Sequence, residues 1–257
     1  MKIFINYSDE RFKRKQQFSA FMAKLIGGFD KVIEYSSVDI DKSYYEKNKL
    51  ILDSERGGGY WLWKPYLINK TLKCMQDGDY LFYCDSGAYF IKSVNEIVEN
   101  MESSSEDIAV FQLPLAECEF TNKYTRNFFN YDESDPINQI LGGYICIKKS
   151  QDSVRFIEQY QQFCENADLV TDKNTLDGEL HRHDQSILSL LAKRHKIKPF
   201  RDPSDYGEFP KRYYRYGFQF VNNDIRGSYP TLILSNRKEN PVVYGAKYFL
   251  RRMLKWI

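Results

Sequence analysis

Five consecutive apolar residues, Tyr80-Leu81-Phe82-Tyr83-Cys84, stand between two aspartates, Asp79 and Asp85. A strand without a polar face must be covered on both sides, so this chain needs helices packed against both faces of a sheet. The flanking sequence supplies them in alternation. Residues 2–6 read as a first strand. Residues 8–26 carry Phe12, Phe18, Phe21, Met22 and Leu25 at helical spacing and stop at Gly27 and Gly28. Residues 31–35 read as a strand, 43–52 as a helix, and 63–75 as a helix with Pro65 in its first turn. Residues 94–101, 152–164 (capped by Ser150 or Asp152) and 184–195 follow as helices, and 108–113 and 143–147 as strands. Residues 117–135 show no clear period. The alternation predicts an α/β fold, a sheet flanked by helices.

At 257 residues and 42% hydrophobic, the chain suits one α/β domain with a sizeable core. Its net charge of +2 argues against a nucleic-acid partner. Cys74, Cys84, Cys118, Cys146 and Cys164 are odd in number and form no CxxC pair, which reads as reduced thiols. Residues 1–7 lack a signal-peptide core, and no apolar run approaches the ~20 residues that span a bilayer. A cytoplasmic protein is expected.

Four segments can carry chemistry. Asp85-Ser86-Gly87 follows the apolar strand, where the carboxyl ends of strands in open α/β sheets bind ligands; a carboxylate there reaches a divalent cation or a ribose hydroxyl, or simply caps a turn. Arg56-Gly57-Gly58-Gly59-Tyr60-Trp61-Leu62-Trp63-Lys64-Pro65 places a glycine run before a helix, which suits an anion at backbone N–H groups. Lys64 is placed to touch a phosphate or a sugar hydroxyl and Trp61 or Trp63 to stack on a base or sugar; the plainer reading is a loop closed by core tryptophans. The glycines match neither a Walker nor a dinucleotide pattern. His181-Arg182-His183-Asp184-Gln185-Ser186 opens a helix, with Asp184 as its cap or as part of a site where imidazole moves a proton or ligates a metal. Gly142-Gly143 permits close approach of a ligand to backbone, or marks a bulge.

The order of these segments resembles the nucleotide-diphospho-sugar glycosyltransferases of GT-A fold found in bacterial capsule and lipopolysaccharide synthesis, over roughly residues 1–200. Asp85-Ser86-Gly87 is similar to the DxD motif with glycine in place of the second acid; Lys64 to the lysine that contacts the donor; Gly142 and Gly143 to the small residues of the acceptor side; Asp184 and Gln185 to the Asp-Gln pair beside the donor sugar. The resemblance implies a GT-A (Rossmann-like) mixed sheet, a UDP- or GDP-sugar donor bound by Lys64, Asp85, Ser86, Gly87, Arg56, Tyr60 and Trp63, and catalysis through Asp184, Gln185 and Asp85. It leans towards retention of anomeric configuration. Gly87 leaves two ways to neutralise the diphosphate: Mn²⁺ or Mg²⁺ held by Asp85 with His183 or His181, or the basic side chains Lys211, Arg212 and Arg215.

Residues 1–240 are read as the transferase domain and 241–257 as a basic amphipathic helix, with Phe249, Met253, Trp256 and Ile257 at helical spacing and Lys247, Arg251, Arg252 and Lys255 among them. Such a helix suits an anionic membrane surface and a lipid-linked glycan acceptor, or docks on the core. A non-catalytic carbohydrate- or nucleotide-binding module and a nucleotidyltransferase are the competing readings.

Overall fold

The computed structural model describes residues 1–132, 134, 137–216, 225–236 and 238–254. The Arg215 side chain, Lys255, Trp256 and Ile257 lie outside what it describes. The main sheet has six strands, β1 (Lys2–Tyr7), β2 (Lys31–Tyr35), β3 (Tyr80–Cys84), β5 (Ile108–Ala116), β6 (Asn138–Lys148) and β7 (Phe200–Arg201), in the order β2-β1-β3-β6-β5-β7. A two-stranded antiparallel sheet pairs β4 (Ala88–Phe90) with β8 (Ile233–Ser235). β1 runs parallel to β2 and β3, and β6 runs antiparallel to β3 and β5, so the sheet is mixed.

All five residues of β3 are buried, as the apolar run requires. The main helices are α1 (Lys13–Met22), α2 (Trp63–Lys73), α3 (Asn95–Ser103), α4 (Gln151–Cys164), α5 (Asp184–Arg194) and α6 (Pro241–Leu254). One core layer holds Leu67, Ile68, Tyr83, Ile145, Tyr160 and Ile187. The other, on the opposite face, holds Phe4, Phe82, Phe90, Ile97, Phe111 and Cys146. The alternation of Phe82 and Tyr83 between the two layers is the period of two that a strand imposes.

Two readings change. The apolar stripe of residues 8–26 faces the core only in part: Phe18 and Met22 pack against the cluster around Tyr89, while Phe12, Phe21, Leu25 and Ile26 are exposed and Gln16, Ser19, Ala20 and Ala23 are buried. Gln16 explains the orientation. Its Nε2 donates to the Tyr35 carbonyl at 2.7 Å, its Oε1 accepts from Ser8 Oγ at 2.7 Å, and its carbonyl accepts from Asn6 Nδ2. A buried polar tie to the sheet outweighs the apolar stripe. Second, the strand expected from residue 143 begins at Asn138, so Gly142 and Gly143 sit within β6. β6 is long enough to run past the carboxyl end of β3, where Asp85 N–H donates to the Gly143 carbonyl at 2.9 Å.

Candidate active site

Three elements converge at that end of β3. α2 brings Lys64 from one side, β3 delivers Asp85, and the first turn of α5 delivers Asp184. Lys64 is 4% exposed. Its Nζ donates to Asp184 Oδ2 at 2.6 Å and to the Gly142 carbonyl at 3.0 Å, and lies 3.9 Å from Asp85 Oδ1. Each carboxylate has a tyrosine brace: Tyr83 OH donates to Asp85 Oδ1 at 2.7 Å, and Tyr160 OH donates to Asp184 Oδ2 at 3.1 Å. Burial raises the Asp184 carboxyl above its usual range, and Lys64 acts against that. A buried lysine between two aspartates is stable only as an ionised set, since any one charge left alone is strongly penalised. Asp184 therefore serves this cluster. It does not cap the helix; the capping position is His183, whose side chain makes no cap bond.

Gly142 is required for α5 to approach β6. A Cβ there would stand 2.8 Å from Gln185 Cβ. The approach lets Gln185 Oε1 accept from Gly142 N–H at 3.1 Å while its Nε2 donates to Gln139 Oε1 at 2.8 Å. Gln139 also accepts from Arg182 Nη1 and donates through Nε2 to Glu117 Oε1 and Thr121 Oγ1. Glu117 is fully buried and bonded further to Ser189 and Lys193. The fixed acceptor character of Glu117 sets the Gln139 amide, and Gln139 in turn sets the Gln185 amide.

The glycine run forms a left-handed turn. Gly57, Gly58, Gly59, Tyr60 and Trp61 all have positive φ. At Gly59 (φ +95) a Cβ would also meet Leu52 Cα at 2.7 Å. The N–H groups of Gly58, Gly59 and Tyr60 donate to the carbonyls of Glu55, Ser54 and Arg56, so positive charge near this turn comes from Arg56 and Lys64 rather than from a cradle of backbone amides. Tyr60 and Trp61 accept a conformation that side chains disfavour, and both rings contact His183, itself at φ +52. Trp63, by contrast, is a packing residue: it stacks on Tyr7 at 3.9 Å and donates to the Gly57 carbonyl.

His183 does not suit a cation. Its Nδ1–H donates to the Val170 carbonyl at 2.9 Å, and its Nε2 accepts from Arg56 Nε at 2.7 Å. Both ring nitrogens are engaged, and burial, with His181 beside it, pulls the imidazolium pKa down to about 4. His181 is likewise buried, with Nε2 donating to the Leu169 carbonyl. Among the described residues no group of three or more His, Cys, Asp or Glu could hold a metal ion. Of the two donor sets expected for Mn²⁺ or Mg²⁺, Asp85 with His183 does not fit the contacts that His183 makes, whereas His181 keeps Nδ1 without a hydrogen-bond partner among the described residues.

These groups line one cleft of about 680 Å³. Arg56, Trp61, Lys64, Asp85, Gly142, Gly143, His183, Asp184 and Gln185 all face it, as do His181 and Arg212. Tyr60, Trp63, Ser86 and Gly87 do not: Ser86 Oγ donates to the Tyr7 carbonyl, and the Gly87 carbonyl accepts from Asn236 N–H. Sequence reasoning missed Tyr83, Tyr160, Gln139 and Glu117, which hold the site from behind, and Asp202, Tyr206, Tyr213 and Tyr244, which line its remaining wall.

The architecture has solved counterparts. Mouse xyloside xylosyltransferase 1 in its apo form superposes with a TM-score of 0.52 at 11% identity, covering 93% of this chain and 98% of that one. The galactosyltransferase LgtC in complex with donor and acceptor sugar analogs superposes with 0.51 at 12% identity, over 98% and 94% of the two chains. The bifunctional glycosyltransferase WbbM, apo, gives 0.51 at 8% identity, over 92% of this chain and 46% of WbbM. The fold is that of the GT-A glycosyltransferases. No family model matches the sequence, and no curated protein does; the GT-A likeness lives in the backbone. On a GT-A frame, a charged cluster at the carboxyl end of the central strand, inside the main cleft, is where ligand chemistry is expected.

Proposed function

We propose that this chain is a glycosyltransferase that moves a sugar from a nucleotide-diphosphate donor, UDP- or GDP-linked, to a glycan acceptor. The observation that carries the reading is the buried Lys64–Asp184–Asp85 cluster in the main cleft of a GT-A fold. In such a transfer the bond between the anomeric carbon and the diphosphate oxygen breaks, a new bond forms to an acceptor hydroxyl oxygen, and that hydroxyl gives up its proton. Negative charge grows on the departing diphosphate, and fixed positive charge in a site poor in water stabilises it best. Arg56, which lines the cleft, supplies such charge, while Lys64 balances the two carboxylates that share it. Asp184, held by Lys64 and Tyr160, and Gln185, held by Gly142 and Gln139, are positioned to orient the donor sugar. Asp184 is already an ion-pair partner, which favours an orienting role over that of a base and supports the lean towards retention.

For the setting, the reading is supported by α6. Tyr244 and Tyr248 anchor it, while Val242, Val243, Phe249, Leu250, Met253 and Leu254 stay exposed beside Arg251. No helix among the described residues is long and apolar enough to cross a membrane. An exposed apolar face with basic neighbours suits an anionic membrane surface, so a cytoplasmic enzyme lying on that surface, working on a lipid-linked acceptor in surface-polysaccharide synthesis, is the reading we favour.

The test is a panel of UDP-, GDP- and dTDP-sugars followed for release of nucleoside diphosphate. One donor should be consumed, and Asp184→Asn should slow its turnover by about 100-fold or more with the fold retained. Release of pyrophosphate would mean nucleotidyl transfer instead, and equal turnover in Asp184→Asn would remove Asp184 from the site.

A further inference from the structure

The Lys64 cluster leaves one wall of the cleft without a role, the segment that follows β7. Asp202 is 5% exposed yet lines both the main cleft and a second, more apolar chamber of about 430 Å³. Leu113, Tyr206 and Tyr213 also border both spaces. Asp202 Oδ1 accepts from Ser204 N–H at 2.8 Å, and its Oδ2 has no partner among the described residues. Nearby cations are engaged elsewhere: Arg201 donates to the Tyr229 carbonyl, and Arg212 to Asp205 and Tyr244. Burial, with the charge of Asp205 added, lifts the Asp202 carboxyl to about 6.

The position is built rather than incidental. A Cβ on Gly207 would stand 2.1 Å from the Asp202 carbonyl oxygen, so the turn Asp205–Glu208 folds back on Asp202 because residue 207 has no side chain. The Tyr206 and Tyr213 rings stand 5.2 Å apart at 58°, and the Arg212 guanidinium lies 3.7 Å from the Tyr206 ring, fixing it. A carboxylate with lone pairs to spare, beside aromatic faces, suits a ring that carries hydroxyl donors on its edge and C–H groups on its face. It repels phosphate and carboxylate. The two ends of the cleft thus differ in chemistry: one holds carboxylates balanced by Lys64, with Arg56 beside them, and the other a carboxylate oxygen without a hydrogen-bond partner among the described residues, beside aromatic rings.

We propose that Asp202, Tyr206 and Tyr213 form a subsite for a neutral saccharide ring, the acceptor of the transfer, and that Asp202 excludes acidic sugars. That this ring is the acceptor rests on the glycosyltransferase reading; that the wall binds a neutral ring does not.

The experiment titrates the full chain with methyl glycosides of glucose, galactose, mannose and N-acetylglucosamine, and with methyl glucuronide, by saturation-transfer NMR, with and without saturating UDP or GDP. At least one neutral glycoside should bind and the glucuronide should not. Asp202→Asn, close to isosteric, should weaken the neutral glycoside about tenfold and narrow the gap to the glucuronide. Tyr206→Leu, a second variant independent of the carboxylate, should weaken it by a similar factor, about fivefold to tenfold. Affinity for UDP or GDP should change less than about twofold. No neutral glycoside bound by the folded wild type, or wild-type affinity in both variants, would overturn the subsite. A change confined to nucleotide affinity would overturn it too, by placing the wall on the donor side. If a nucleotide still binds, the subsite alone has failed; if neither nucleotide nor glycoside binds, the proposed function fails with it.

Discussion

Replacing Lys64 with methionine keeps an unbranched side chain, one atom shorter, and removes its charge. Asp184 then keeps Tyr160 and Asp85 keeps Tyr83, but the charge that both carboxylates share is gone. Breaking a buried ion pair by removing one partner costs about 3–5 kcal/mol. Asp184→Asn alone leaves Lys64 with the Gly142 carbonyl and a 3.9 Å contact to Asp85, and should cost less, about 1–3 kcal/mol. The double variant removes both charges together, so its loss should fall short of the sum by about 1–3 kcal/mol. The sign with pH is also fixed. Asp184 already has a raised carboxyl pKa in the folded protein, and without Lys64 it rises further. An acid whose folded pKa lies above its unfolded value destabilises the fold above that pKa and ceases to do so once protonated. The Lys64→Met penalty should therefore be larger at pH 8 than at pH 5. Urea unfolding of the four proteins at both pH values measures every term. Additive single losses, or a Lys64→Met penalty that is equal at both pH values, would refute the idea of a charge cluster held by Lys64.

Two further expectations concern groups around that cluster. Asp202, with its folded pKa near 6 against an ordinary 3.8, should destabilise the protein above pH 6 by about 3 kcal/mol and not at all below pH 4; Asp202→Asn should raise urea stability at pH 8 with a gain that fades towards pH 4, and a gain independent of pH would contradict the assignment. Gln139→Leu removes the acceptor shared by Gln185 and Arg182 and should cost about 1–3 kcal/mol, while lowering turnover more than donor affinity; Gln139→Asn should recover part of that turnover, and unchanged turnover in Gln139→Leu would show that Gln185 needs no positioning.

Much of the fold follows from local pattern. The wholly apolar Tyr80–Cys84 strand and the helical spacing over Asp184–Arg194 fix a covered sheet without reference to distant residues. The orientation of α1 is not legible in its apolar residues, only some of which pack inward, because its polar tie to the sheet runs through Gln16, whose partners Ser8, Asn6 and Tyr35 meet it only after folding. The same limit applies to the site. Lys64, Asp85, Asp184 and the two glycines are marked by their place beside strands and helix starts. Tyr83, Tyr160 and Gln139 are ordinary core residues in sequence, and Glu117 lies in a stretch without period; only tertiary contact gives them partners. The His181–His183 pair is the converse case, a conspicuous motif in which both His183 ring nitrogens and His181 Nε2 are engaged by main chain or by Arg56.

The central claim is that the cleft binds a nucleoside diphosphate, and thermal unfolding with UDP, GDP, dTDP and CMP, each alone and with Mn²⁺ or Mg²⁺, tests it most directly. A ligand that binds the folded chain at 100 times its Kd adds about 2.7 kcal/mol, roughly 5–10 °C in Tm for a chain of this size. One nucleoside diphosphate should give such a shift in the wild type and a smaller one in Lys64→Met, and comparison with the metal-free sample reads out any role of a cation directly. A folded sample whose Tm moves with none of these nucleotides, with or without metal, would contradict the account.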